Sequence, residues 1–219
     1  MPVNPQLLFV AGPNGAGKST FSKKLSDPGA VIFDVDKVNA RIEAQSPDKP
    51  KKLIYQEATQ EFFNLATEAI KQKQHFTLET NFRDEPLVDI VAHFKRNGYT
   101  TNMVYLVLKN IKESVSRVNQ RVTNGGHYVD QKNIEQNYDL GLQYLERFAD
   151  RFDNLEIIDA SGNDFQLRSV LSIQQQQLVY LSADLPTGVE ETIKRIASRY
   201  NSRGLDDDEE RGWMRGPSR

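Results

Sequence analysis

Cysteine is absent from all 219 residues. Neither a disulfide nor a thiolate-held metal can support the fold, and the absence fits a reducing compartment. Histidine is scarce, and His75, His93 and His127 show no spacing that would gather a metal. Neither sign of charge dominates, with 28 Lys and Arg against 30 Asp and Glu. No global field therefore draws the chain to nucleic acid or to an anionic membrane. Apolar runs of membrane-spanning length are missing as well. Met1-Pro2-Val3-Asn4-Pro5 lacks the basic segment and apolar stretch of a signal peptide. The expectation is a cytoplasmic protein with no membrane or nucleic-acid partner. The Asn-Lys-x-Asp guanine signature of regulatory GTPases is missing, and so is a Leu-Ser-Gly-Gly-Gln segment of transporter ATPases.

What is present is organised around residues 6–20, QLLFVAGPNGAGKST. Leu7 to Ala11 form a short apolar run, the pattern of a fully buried strand. Gly12, Pro13, Asn14, Gly15, Ala16, Gly17, Lys18 and Ser19 then fill every position of G-x-x-x-x-G-K-[ST], and Thr20 continues into a helix. The glycines let successive backbone N–H groups face a phosphate, and the helix N-terminus adds its partial positive charge. Lys18 is expected on the β and γ phosphates, and the Ser19 hydroxyl on magnesium. The motif, set between strand and helix, specifies binding of a nucleoside triphosphate.

Strands and helices alternate along the rest of the chain. Strands are expected at 30–36, 75–82, 101–108 and 155–159, separated by amphipathic helices. Asp84 reads as the cap of the helix that has Pro86 in its first turn, and Asn110 with Glu113 as a capping box. Beyond Asp159 two further strands, joined through Gln174–Gln177 as a loose connection, suggest an antiparallel hairpin, and 188–200 reads as a helix. The expected fold is α/β, three-layered, with a mainly parallel five-stranded sheet and a C-terminal hairpin and helix. Residues 1–200 read as a single domain and 201–219 as a charged, disordered tail.

In such a sheet the ligand lies at the carboxyl ends of the strands. Asp36 stands just past one strand, where it could be the base that takes a proton from an acceptor hydroxyl, or merely a helix cap. Glu79 is a carboxylate within an apolar strand, fit for contact with substrate or with a magnesium-bound water. Thr80 follows it. Arg117 and Arg121 share one helix face ahead of Gly125-Gly126-His127, an arrangement suited to a lid over about 117–133 that delivers arginines to the phosphates. A solvated helix face is the plain alternative.

Ala11-Gly-Pro-Asn-Gly-Ala-Gly-Lys-Ser-Thr20, Asp36, Leu78-Glu-Thr80 and Arg117…Arg121-Val-x-x-Gly-Gly-His127-x-Val129, in that order, resemble the zeta-toxin-like P-loop kinases, and most closely their short, single-domain branch. The resemblance covers about residues 6–160. It implies a kinase-type fold with ATP as donor and Mg2+ as cofactor, Lys18 and Ser19 at the phosphates and metal, and Asp36 as base. It further implies that Glu79, Thr80 and His127 face substrate and that Arg117 and Arg121 serve the lid. Zeta toxins proper phosphorylate UDP-N-acetylglucosamine on a sugar hydroxyl, so the resemblance makes a small hydroxyl acceptor, with a UDP-N-acetyl sugar first, the implied substrate. An antitoxin protein is a candidate partner. Two positions depart from the branch: Asp130 stands where a proline is usual, and Gln136-Asn137 stand where arginines are usual, which leaves Arg147 or Arg151 as replacements. A nucleotide-dependent binding module and a stand-alone ATPase are the rival readings.

Overall fold

A computed structural model describes residues 4–126, 128–162 and 167–200 of the chain. Its seven strands form one sheet in the order β2-β3-β1-β4-β5-β6-β7. β1 (Gln6–Ala11), β2 (Val31–Asp34), β3 (Phe76–Thr80), β4 (Thr100–Val107) and β5 (Asn154–Asp159) run parallel. Consecutive residues are buried along these strands, as in Phe9-Val10-Ala11 and Tyr105-Leu106-Val107. Successive side chains point to opposite faces, so both faces of the sheet are covered. The cover comes from α1 (Lys18–Leu25), α2 (Val35–Gln45), α3 (Lys51–Gln72), α4 (Pro86–Arg96), α5 (Ile111–Thr123), α6 (Gln131–Phe148) and α7 (Glu190–Ala197).

The expected five parallel strands are all present, and the sheet is larger than five because the hairpin joins it. β6 (Arg168–Gln174) pairs antiparallel with β5, and β7 (Gln177–Leu181) antiparallel with β6. Two local readings need correction, and one alternative falls away. Gln175 and Gln176, expected in a loose connection, form a tight two-residue turn with φ of 49° and 62°. Asp84 does not cap α4; Glu85 holds the cap position without a side-chain bond, and the helix starts directly at Pro86. Asp36 is not the cap of α2 either. Asp34 is, accepting a hydrogen bond from the Lys37 N–H at 3.1 Å. Half of the expected capping box forms: Glu113 N–H donates to Asn110 Oδ1 at 2.9 Å, while the Glu113 carboxylate turns instead to Arg117 and the Gly162 N–H. The expected tail at 201–219 and Phe165 lie outside the described residues.

One aromatic cluster matters for the site. Phe9 of β1 meets Phe82 and Phe152 edge-on, at centroid distances of 6.1 and 5.2 Å, and Phe82 meets Phe152 at 5.9 Å. Phe82 lies just past β3, fully buried, with φ of 52°. A bulky residue adopts that left-handed conformation only when its surroundings fix it. Its N–H donates to Thr80 Oγ1 at 3.0 Å, closing the bend at the end of β3.

The β6–β7 turn yields a stability prediction. Gln176 is anchored through its side chain, which donates to the Phe152 carbonyl, whereas Gln175 contributes only its backbone N–H, to Asn154 Oδ1 at 2.9 Å. Asn tolerates left-handed φ at the first position of such turns far better than Gln. Gln175→Asn is expected to raise unfolding free energy by about 0.5–1 kcal/mol, read as a shifted denaturant midpoint at unchanged slope.

Candidate active site

The phosphate loop leaves β1 at Gly12, whose φ of 138° and close approach to β4 leave no room for a side chain: a Cβ there would lie 2.3 Å from the Leu106 carbonyl oxygen. Gly15 has φ of 81° and presses against α5, where a Cβ would lie 2.9 Å from that of Arg117. The loop is thus wedged between β4 and α5, and these two glycines permit it. α1 then begins at Lys18 with its N-terminal amides at the end of the loop.

Lys18 is buried. Its ammonium donates to the Gly12 carbonyl at 2.8 Å, the Pro13 carbonyl at 3.0 Å and Asn81 Oδ1 at 2.8 Å. Burial pulls its pKa below the ordinary lysine value. The carboxylates of Asp36, Glu79 and Asp34 push it back up, Asp36 most strongly, and the Arg121 guanidinium adds to the lowering. Charges from β2, α2, β3 and α5 therefore all act on one ammonium. Of the residues singled out by sequence, Glu79 is tied to the loop directly through Ser19, and the charges of Asp36 and Arg121 bear on Lys18.

Glu79 lies opposite Val10 on one side and Asp34 on the other. It is almost fully buried, and both its oxygens are used: Ser19 Oγ donates to Oε1 at 2.6 Å and Ser22 Oγ to Oε2 at 2.9 Å. Burial holds its carboxyl above the usual range; the Ser19 bond opposes this and Asp34 adds to it. Because the Ser19 proton is committed to Glu79, the oxygen's lone pairs are left for a cation. Among the described residues no cluster of three or more His, Cys, Asp or Glu could hold a metal by itself. That does not conflict with magnesium in a phosphate loop, which keeps several waters and takes its remaining oxygens from the substrate. The donor set of Ser19 backed by Glu79 fits it.

Other expected residues take quieter positions. Thr80 serves the bend at Phe82, and Thr20 is exposed on α1. Arg117 is braced behind the loop, paired with Glu113 at 2.8 Å and donating to the carbonyls of Gly162 at 2.6 Å and Gly15 at 3.4 Å. His127 lies outside the described residues. Pro13, Ala16 and Gly17 complete the loop. Sequence reasoning did not single out Ser22 or Ser114 as parts of the site, met Asn81 only within the polar strand end Glu79-Thr80-Asn81, and met Asn137 only as a departure from the arginines usual in the family. Ser114 Oγ donates to the Asn14 carbonyl at 2.5 Å, and Asn137 Nδ2 to Asn14 Oδ1 at 2.6 Å. Ser22 was open to discovery, since it stands three residues after Ser19 on one helix face and a buried carboxylate needs donors. The other contacts cross long stretches of chain and leave no local signal.

The Zeta toxin family matches over residues 2–169, well over half of the chain. The chain belongs to the Zeta toxin family. An uncharacterized protein of Haemophilus influenzae is 26% identical over 131 residues, 60% of this chain and 91% of its own length. Among solved structures, one from the PezAT chromosomal toxin–antitoxin system of Streptococcus pneumoniae superposes with a TM-score of 0.57 at 14% identity, covering 95% of this chain and 84% of that one. AvrRxo1-ORF1:-ORF2, solved with ATP, gives 0.63 at 13% identity over 90% of this chain and 64% of that one. At such identities the likeness is one of fold. Family and kinase-like fold together support a nucleotide-dependent phosphotransferase, and as a Zeta toxin family member the chain carries the phosphate loop that this chemistry needs. No helix among the described residues is long and apolar enough to cross a membrane.

Glu79 gives the site a measurable pH signature. Its folded pKa lies above the unfolded value, so the stability it contributes is full below the ordinary glutamate pKa and is lost as pH rises through the raised value. Gln at this position cannot lose a proton. Denaturant midpoints of Glu79→Gln should therefore gain on wild type as pH rises from about 4 to 8. A pH-independent difference would refute the buried-carboxylate account.

Proposed function

We propose that this Zeta toxin family member transfers the terminal phosphate of ATP to a hydroxyl of a small acceptor, with a UDP-N-acetyl sugar as the first to test. The observation that carries the reading is the phosphate loop itself, with the Lys18 ammonium buried against the Gly12 and Pro13 carbonyls and the Ser19 hydroxyl bound to Glu79; the charges of Asp36, Glu79 and Arg121 act on that ammonium. Asp36 is exposed in the first turn of α2 and, because Asp34 makes the cap, is not committed to capping. Its carboxylate takes the proton as the acceptor oxygen attacks phosphorus and the bridging oxygen leaves with ADP. Lys18 and the loop amides hold the phosphates, and Arg121 meets charge that develops during transfer. Arg117 holds the loop from behind. Ser19, with Glu79 accepting its proton, would hold magnesium, whose charge neutralises phosphate oxygens. Thr80 and His127 are assigned to the acceptor side by family resemblance. The toxin–antitoxin setting of the pneumococcal structure supports an antitoxin as partner.

Asp36→Asn tests the base. With the cap on Asp34 its thermal stability should match wild type. Labelled ATP incubated with UDP-N-acetylglucosamine or a metabolite extract should yield about 10²–10⁴-fold less phosphorylated acceptor, with ATP-Mg affinity held within a few-fold. Retained transfer would remove Asp36 from the chemistry; release of ADP by wild type with no phosphorylated product from either mixture would favour a stand-alone ATPase.

The arginines should separate in the same assay. Arg121→Ala is expected to lower turnover on the order of 10²-fold or more with little change in ATP affinity. Arg117→Ala should weaken ATP binding and lower the unfolding midpoint together, because it braces Gly15. Equal behaviour of the two would contradict this division.

A further inference from the structure

Asn14, the third residue of the phosphate loop, is buried, and so is Asn137 of α6, which touches it. An amide has a carbonyl end and an NH2 end, and a chain of amides can run in either direction. Here the direction is set by a third residue. Arg83 Nη1 lies 2.5 Å from Asn137 Oδ1, and a guanidinium can only donate. Asn137 must therefore present its oxygen to Arg83 and its NH2 to Asn14, so Asn14 must accept through Oδ1. The assignment rests on the chemistry of arginine and is independent of how amide nitrogen and oxygen were placed. The NH2 of Asn14 is left as the group not used by the relay.

Arg83 is held where it can do this. It follows Phe82, whose left-handed backbone is packed in the core against Phe9 and Phe152, just past the strand that supplies Glu79 and in the same segment as Asn81. Arg147 and Arg151, the other arginines available on this side of the sequence, are engaged elsewhere: Arg147 with Glu85 and over the Phe148 ring, Arg151 with Asp150.

We propose that Arg83, acting through Asn137, fixes the polarity of the Asn14 amide so that the phosphate loop offers a side-chain N–H donor, in place of a carbonyl oxygen, to the terminal phosphate of the bound nucleotide. Arg83 and Asn137 are positioning residues; Asn14 makes the contact. Without the relay Asn14 could turn its oxygen toward the anion, where it would repel. The inference rests on the nucleotide-binding part of the proposed function and needs no acceptor.

The test is calorimetric binding of ATP-Mg and ADP-Mg to the full chain, the ratio of affinities reporting the terminal phosphate alone. Wild type should prefer ATP, and Asn137→Leu, which removes the relay without adding charge, should reduce that preference about 10- to 150-fold, as expected for one lost hydrogen bond to a charged group. Asn14→Ala should reduce it equally, and the double variant no further. Arg83→Met, at a half-buried loop position, should show the same loss and serves should Asn137→Leu fail to fold. Unchanged preference in the single variants, or losses that add in the double variant, would overturn the relay. Wild-type binding without preference for ATP would also overturn it, while leaving nucleotide binding in place. Absence of any nucleotide binding would instead sink the functional reading on which it rests.

Discussion

Removing an ammonium from water costs several kcal/mol unless oxygens replace its hydration shell, and Lys18 is such an ammonium. Much of the site can be read as that replacement. The Gly12 and Pro13 carbonyls and Asn81 Oδ1 supply direct contacts. Asp36, Glu79 and Asp34 supply longer-range negative charge from α2, β3 and β2. Each contributor depends on strand register: pairing of Val10 with Glu79, and of Glu79 with Asp34, sets carboxylates beside the loop at the carboxyl edge of the sheet. A slip of one residue would turn Glu79 to the opposite face, and with it the partner of Ser19.

The same carboxylate that helps hold Lys18 also constrains the serine after it. Ser19 and Ser22 both donate to Glu79, so α1 is tied to β3 by two hydrogen bonds at its first turn. This links the start of the helix, where phosphate charge is favourable, to the strand whose end carries Asn81 and Arg83. Loop, helix and strand are therefore one mechanical unit. Hydrophobic packing completes it from below, since Phe82 keeps its strained backbone only because Phe9 and Phe152 surround it.

Much of this was legible in the sequence because its signals are local. The apolar runs of β1 and β4, the glycine spacing at 12–17 and the Asn110 cap each depend on residues within a few positions, and they fold as their pattern implies. The sequence also pointed to Lys18, Asp36, Glu79 and Arg121 as one site, since strand ends in a parallel sheet face a common crevice. Where reading went astray, two local solutions were close in energy. Asp84 stands two residues before Pro86 and could cap the helix there, yet Glu85 takes the cap position without a side-chain bond. Four successive glutamines look unstructured, yet pairing of β6 with β7 forces two of them into left-handed conformations.

What could not be read is a different class of contact. Asn14 and Asn137 are 123 residues apart, Arg83 and Asn137 54 apart, and Asn14 and Ser114 100 apart. No periodicity or cap signals such a pair, because neither partner has a local reason to be polar. The pairs form only after packing has already brought α5 and α6 against the loop, and burial then forces every amide to find its complement. Polar residues on otherwise apolar helix faces, as Ser114 and Asn137 are, carry the one usable trace. An unexplained buried polar group implies a partner elsewhere in the fold, and in this chain both partners belong to the phosphate loop.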